Sequence, residues 1–212
     1  MTTVPRPVRL YDRRRAPNPR RVRWVMAEKA IVDLELVEVD IFAGEHRTAD
    51  YLARAGLPHV PALELDDGTT ITESVAICRY LESVYPEPNL FGRDAREVAV
   101  IEMWTRRAEM TVATPLMLAV RHGHPALATL ERQIPELAAA NRAGAERALV
   151  FLDGRLGESA FIAADRITMA DIVAFTALDF ARMVKFQPDP ALVNVARWAD
   201  AMRGRAAAGA GV

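Results

Sequence analysis

Val60-Pro61-Ala62-Leu63, the turn residues Asp66-Asp67-Gly68, and then Ile71-Thr72-Glu73-Ser74-Val75-Ala76-Ile77 form the stretch that decides the fold. Proline after valine has no N–H to give to a ladder, so it belongs at a sheet edge or at the first position of a strand. An X-Pro bond is also the common site for a cis peptide, which would turn the Val60 amide and carbonyl outward. Asp66-Asp67-Gly68 predicts a hairpin between strands over 62–65 and 69–71. Val75, Cys78, Leu81 and Tyr85, beside Ile77 and Val84, then recur at helical spacing. The helix starts near Thr72 to Ser74, which leaves the Ser74 amide and hydroxyl among first-turn donors that the helix cannot satisfy itself. Such an end attracts a carboxylate through its free N–H groups and partial positive charge. A plainer reading fits the same residues: Thr72 caps a helix and Pro61 ends a strand.

On the N-terminal side, Val8 to Tyr11 reads as a strand and Ala16-Pro17-Asn18-Pro19 as a turn. Val22, Val25, Met26 and Lys29-Ala30 mark an amphipathic helix, with Asn18 as its N-cap and Pro19 at its first position. Leu34 to Val39 alternates as a second strand, and a short helix over 48–55 leads to Pro61. This order gives a small mixed sheet with helices on its faces. On the other side, Tyr85-Pro86-Glu87-Pro88-Asn89 predicts a stiff linker at a domain boundary. No strand is expected beyond it. Val98, Ile101, Trp104, Ala108 and Val112 predict one helix, Ala138 to Leu156 another, and Met169 to Val184 a central helix that is apolar nearly all round. Thr168 caps that helix, Asp171 reaches back from three residues on, and Ile167 with Ile172 form a staple. Asp189-Pro190 opens a last helix through Met202, and Ala206 to Val212 is expected to fray. The expected fold class is α/β plus all-α: a thioredoxin-like domain over 1–85, a linker over 86–93 and a helical domain over 94–212.

Composition narrows the function. The chain has 212 residues, 51% hydrophobic and 26% charged, as an ordinary globular protein does. A net charge of -1 gives no electrostatic case for nucleic acid or an anionic membrane as partner. The single cysteine, Cys78, falls on an apolar helix face, where packing is the expected role, and no intramolecular disulfide is possible. Met1 to Pro7 has no apolar core of a signal peptide, and no apolar run is long enough to span a bilayer. A cytoplasmic protein without a metal site is expected. Arg6, Arg9, Arg13, Arg14, Arg15, Arg20, Arg21 and Arg23 crowd the N-terminus against Asp12 alone. Some are expected near a ligand carboxylate and most in solvent.

A Val-Pro ahead of a hairpin, a Glu-Ser helix start, a Pro-rich linker and an all-helical second half together resemble the cytosolic glutathione transferases over nearly the whole chain. The specific pieces are Val60-Pro61-Ala62-Leu63, Asp67-Gly68 through Glu73-Ser74, and Thr168-Met169-Ala170-Asp171-Ile172. The opening from Leu10-Tyr11 to Arg23 looks like bacterial members. The resemblance implies that glutathione is a co-substrate. It puts Glu73 and Ser74 on the γ-glutamyl end, with Ser74 on its carboxylate, and pairs the Val60 backbone with the cysteinyl unit beside Pro61. It puts His59 at a polar glutathione contact and His46 on the glycyl carboxylate, both binding best when protonated.

Two departures stand out. Ala55-Gly56-Leu57-Pro58 replaces the usual Asn-Pro, and Ala16 occupies the place where many members carry Ser, Cys or Thr to activate the thiol. Alanine can neither donate to a thiolate nor form a disulfide. Three substitutes are open: the Asn18 amide (unless it is spent as a cap), backbone N–H groups at the first helix start, and Tyr11. The resemblance implies attack of the glutathione thiolate on a small electrophile, as in detoxification. It also allows a glutathione- or hydrophobic-ligand-binding protein with little catalysis, which Ala16 favours, or a glutathione-dependent disulfide reductase. The electrophile would lie between the domains near Arg107, Met110, Thr111 and Thr114, a face that packing or a dimer contact explains equally. A homodimer with the Trp104 helix near its axis is the expected assembly.

Overall fold

The computed structural model describes residues 4–210. The described residues divide into two compact units, one running through Pro88 and taking in Gly209 and Ala210, the other Asn89–Ala208. The signal-peptide expectation at Met1 to Thr3 and the fraying expectation at Gly211 and Val212 lie outside the described residues.

The first unit contains β1 (Pro7–Asp12), α1 (Pro17–Glu28), β2 (Glu35–Glu38), α2 (Ala49–Ala55), β3 (Ala62–Leu65), β4 (Thr70–Thr72) and α3 (Ser74–Val84). Its sheet has the order β2-β1-β3-β4, with β2 parallel to β1 and the other two pairings antiparallel. Leu10, Ala62 and Leu63 are fully buried in the middle strands, as are Val22, Trp24 and Val25 on α1 and Ile77, Cys78 and Leu81 on α3. The hairpin closes with the Leu65 amide on the Thr69 carbonyl at 2.9 Å and the Gly68 amide on the Leu65 carbonyl at 3.0 Å. Gly68 sits at φ +83°, the left-handed position that a three-residue hairpin loop requires. Thr69 is used in closing the turn, so β4 begins one residue later than the pattern implies.

Lys29, at the end of α1, has a fully buried side chain. Its ammonium donates to the Tyr85 and Pro88 carbonyls at 2.7 and 2.8 Å and pairs with Glu82 at 2.7 Å. The segment read as a stiff spacer is therefore tied to α1 by a buried cation.

The second unit is helical: α4 (Ala95–Arg107), α5 (Thr114–Gly123), α6 (Pro135–Glu158), α7 (Met169–Phe180) and α8 (Val193–Arg203). The single helix expected through Val112 ends as an α-helix at Arg107 and passes through a π turn, Ala108–Ala113, into α5. Pro115, near the start of α5, lacks an N–H and crowds the carbonyl of Thr111, so the backbone ladder widens there. Every residue from Met169 to Leu178 is buried. The α7 start is sealed by Asp171, whose carboxylate accepts from the Thr168 amide at 2.9 Å and hydroxyl at 3.0 Å. It also accepts from the Ile162 amide and the Trp198 indole, each at 2.9 Å. Burial outweighs these bonds and raises the Asp171 pKa.

Two expectations need correction. The last helix starts at Val193 rather than Asp189, because Asp153 on α6 caps it by accepting from the Asn194 and Val195 amides at 2.9 Å. Ala206–Gly209 forms a 3-10 turn with Ala207 buried, so this part of the chain end is regular and does bury a side chain.

Asp171→Asn puts an NH2 against donors on one side of the carboxylate and should destabilise the protein by about 3 kcal/mol in chemical denaturation.

Candidate functional site

Strand register gathers the candidate residues at one end of the sheet. Ala62 lies opposite Tyr11 on one side and Thr72 on the other, and Asp12 lies opposite Glu38. The turn into α1, the exit of β2 toward His46, the approach of Val60-Pro61 to β3 and the passage from β4 into Glu73-Ser74 therefore share that end. Thr72 is the last residue of β4, so it does not cap α3.

The Val60-Pro61 bond is cis. The Val60 side chain packs on a cluster of Tyr11, Val39, Tyr51, Ala55 and Ala62. The Tyr51 hydroxyl donates to the His59 carbonyl and anchors the loop just before it. Neither the Val60 amide nor its carbonyl is hydrogen-bonded within the described chain. An extended peptide could pair with that backbone.

The start of α3 is open. Glu73 precedes it at φ +67°, an uncommon angle for a non-glycine residue, and gives no side-chain cap. The first helical bond runs from the Ile77 amide to the Glu73 carbonyl at 2.9 Å, which leaves the amides of Ser74, Val75 and Ala76 without a partner in the helix. Ser74 is buried, while Glu73 is exposed. From α1, the Arg21 guanidinium donates to the Ser74 hydroxyl oxygen at 3.2 Å.

Arg21 was missed as a site residue because the arginine cluster reads as mostly solvated. Every residue from Pro19 to Met26 is in fact buried, so α1 lacks the solvent face its amphipathic pattern implies. Arg23 pairs with Asp12 and also donates to the Arg14 carbonyl. The available signal was position: Arg21 stands one turn before Val25 on a helix that must cover a sheet.

The start of α1 also differs from expectation. Its N-cap is Ala16, and Pro17 and Pro19 both lie inside the first turn. Two of the first three helical residues therefore have no N–H, and the amide of Asn18 is the donor that remains. The Asn18 side chain makes no cap bond, and its amide oxygen is buried without a partner. Asn18 is thus not spent as a cap, and the expected row of backbone donors reduces to one.

Tyr11, the third substitute, is engaged. Its hydroxyl donates to Glu64 at 2.7 Å, and Arg9 reaches the same carboxylate at 3.2 Å. The Tyr11 bond first, and then Arg9 and Arg54, hold the Glu64 carboxyl below its ordinary pKa against the effect of burial.

His46 is buried in a 3-10 turn, Glu45–Arg47, with Nδ1 unpartnered, and His59 is exposed. Burial chiefly, and then the charges of Arg47 and His59, lower the His46 pKa. The two histidines are close enough to sense each other. In the second unit, Arg107, Met110, Thr111 and Thr114, the four residues expected to share a face, are all exposed across the π turn, and Arg107 lies 4.8 Å over the Trp104 ring. No cluster of metal-binding side chains occurs among the described residues.

Comparisons with known proteins identify the family and the fold. The family "Glutathione S-transferase, N-terminal domain" matches residues 16–84, and its "C-terminal domain" counterpart matches 108–206. The chain is 33% identical over 199 residues to glutathione S-transferase 2 of Saccharomyces cerevisiae, covering 92% of this chain and 85% of the relative. A crystal structure of a glutathione S-transferase domain-containing protein from Marinobacter aquaeolei superposes with a TM-score of 0.90 at 36% identity, covering 94% of this chain and 99% of that one. A Gtt2-class glutathione S-transferase of Vibrio parahaemolyticus gives 0.83 at 30% identity, covering 96% of each chain.

Cys78 is buried and carries no disulfide, and burial pushes its thiol pKa far up. A water-soluble disulfide reagent should therefore label no thiol in the native protein and one per chain after unfolding.

Proposed function

The chain belongs to the cytosolic glutathione transferase superfamily, and from that premise we propose how it handles glutathione. The tripeptide lies across the sheet end. Its γ-glutamyl carboxylate meets the Ser74 hydroxyl and the α3 amides beside Glu73, and its cysteinyl unit pairs with the Val60 backbone. Its glycyl carboxylate points toward His46 and His59. The observation that carries this reading is the uncapped α3 start with buried Ser74, where a carboxylate would supply the missing acceptor.

Asn18 stands in for the hydroxyl or thiol that Ala16 lacks. Its backbone N–H and side-chain amide are donors for a thiolate. Glutathione loses its thiol proton to solvent, the sulfur attacks an electrophilic carbon, and the new S–C bond forms as a leaving group departs with its electron pair. Lowering the thiol pKa from about 8.5 toward neutrality raises the thiolate fraction severalfold or more at pH 7. Orientation beside the electrophile contributes the rest. We read the physiological role as detoxification by a cytoplasmic homodimer, as the family resemblance supports. No helix among the described residues is long and apolar enough to cross a membrane. Ala16 favours a second reading, a glutathione-binding protein with little turnover.

Ultraviolet difference titration of bound glutathione from about pH 5 to about pH 9 separates the two. The transferase reading requires a saturable thiolate signal with a depressed pKa. Asn18→Ala should return that pKa toward the free value while Kd changes less than about twofold. Binding without a thiolate signal would support the second reading.

His46 gives a further check, because burial and then the charges of Arg47 and His59 lower its pKa and disfavour the protonated ring. Binding a carboxylate favours the protonated ring, so affinity for S-methylglutathione should rise as pH falls from about 8 to about 6. His46→Asn should flatten that profile.

A further inference from the structure

Arg21 joins α1 to the open start of α3. The residue is only 1% exposed, and its side chain reaches from α1 to the first residue of α3 and places Nη1 3.2 Å from the Ser74 Oγ. An arginine donates in every hydrogen bond it makes and never accepts. The serine oxygen must therefore be the acceptor in this contact. A serine hydroxyl has two lone pairs and one proton, and Arg21 takes up a lone pair. No acceptor within the described chain receives the proton. The Ser74 hydroxyl is left as a committed donor, beside three helix amides that also lack helical partners.

The guanidinium brings charge as well as direction. It is taken out of water between two packed helices, and its field opposes the rise in pKa that burial imposes on Cys78, one turn further along α3. An anion settling on the α3 start would meet a fixed cation behind the hydroxyl. In so dry a setting that attraction is weakly screened by salt.

We propose that Arg21 is a positioning residue for glutathione recognition: it sets the Ser74 hydroxyl as a donor to the γ-glutamyl carboxylate and keeps that helix end cationic. This rests on the reading above that Ser74 receives that carboxylate. Arg21 acts through Ser74 and touches no reacting atom. The competing explanation is that Arg21 only joins α1 to α3.

The two explanations differ in ligand selectivity. Kd is measured for glutathione and for 4-aminobutyryl-cysteinyl-glycine, which lacks the γ-glutamyl carboxylate, on the full-length protein, Arg21→Met, Arg21→Gln, Ser74→Ala and the double variant Arg21→Met/Ser74→Ala. Comparing two ligands on one folded variant removes any general loss of stability. Arg21→Met should weaken glutathione binding about tenfold and the analogue less than about twofold. Arg21→Gln keeps a donor without the charge and should recover part of the loss. It also provides the comparison if Arg21→Met fails to fold. In the Ser74→Ala background the Arg21 effect should shrink, since the hydroxyl it orients is gone.

Equal weakening of both ligands in the Arg21 variants would make Arg21 a packing residue and overturn the proposal. So would unchanged glutathione binding in folded Arg21 variants alongside a weakened Ser74→Ala. A Ser74→Ala protein that binds glutathione normally would instead sink the Ser74 assignment.

Discussion

Ala62 pairs with Tyr11 on one flank and with Thr72 on the other, and the arrangement of the candidate site depends on that double register. The residue is fully buried, as is Leu63 after it. A slip by one residue in either ladder would move these side chains to the opposite face of the sheet. The apolar core thus locks the pairing. The pairing in turn puts the Val60 backbone, the α1 start and the α3 start at one end. A proline ahead of a strand and a Glu-Ser pair after a hairpin acquire joint meaning only through this register.

Three helix starts in the chain are treated in three ways, and the contrast separates structure from function. At α7 the Asp171 carboxylate takes four donors, so that end is saturated and has nothing left for a ligand. At α3 no side chain caps the helix, and a buried serine stands in the first position. At α1 two prolines remove most of the donors that would otherwise need a cap. An internal carboxylate and an incoming one are alternative solutions to the same shortage of acceptors. The chain uses the first where it needs a rigid core. In the reading proposed above, it leaves the second to glutathione.

What the sequence made legible follows the range of the interactions. The Asp66-Asp67-Gly68 hairpin, the Thr168-Asp171 box and the buried stretch from Met169 were readable because neighbours along the chain decide them. The α1 start misled because Pro17 and Pro19 are each a valid first helical residue, and local rules cannot choose between them. The Asp153 cap on α8 and the Arg21 bond to Ser74 join residues far apart in sequence, with no local mark on either partner. The arginines of α1 misled for a related reason. A charged residue reads as a surface residue unless its partner is known, and here the partners lie on β1 and α3.

Ala16 creates a shortage of donors at the α1 start. Its methyl group can give nothing to sulfur, and the usual remedy, a fan of free amides at a helix start, is not available here. Pro17 and Pro19 reduce that fan to the amide of Asn18. A helix dipole remains, but without N–H groups its positive end has few directed contacts to offer. Tyr11 cannot fill the gap without giving up Glu64, whose carboxylate also takes Arg9. Asn18 is different, because no capping duty holds its side chain and its oxygen lacks a partner inside the fold. In the reading proposed above, thiol stabilisation at this end falls on Asn18, one residue with two kinds of N–H.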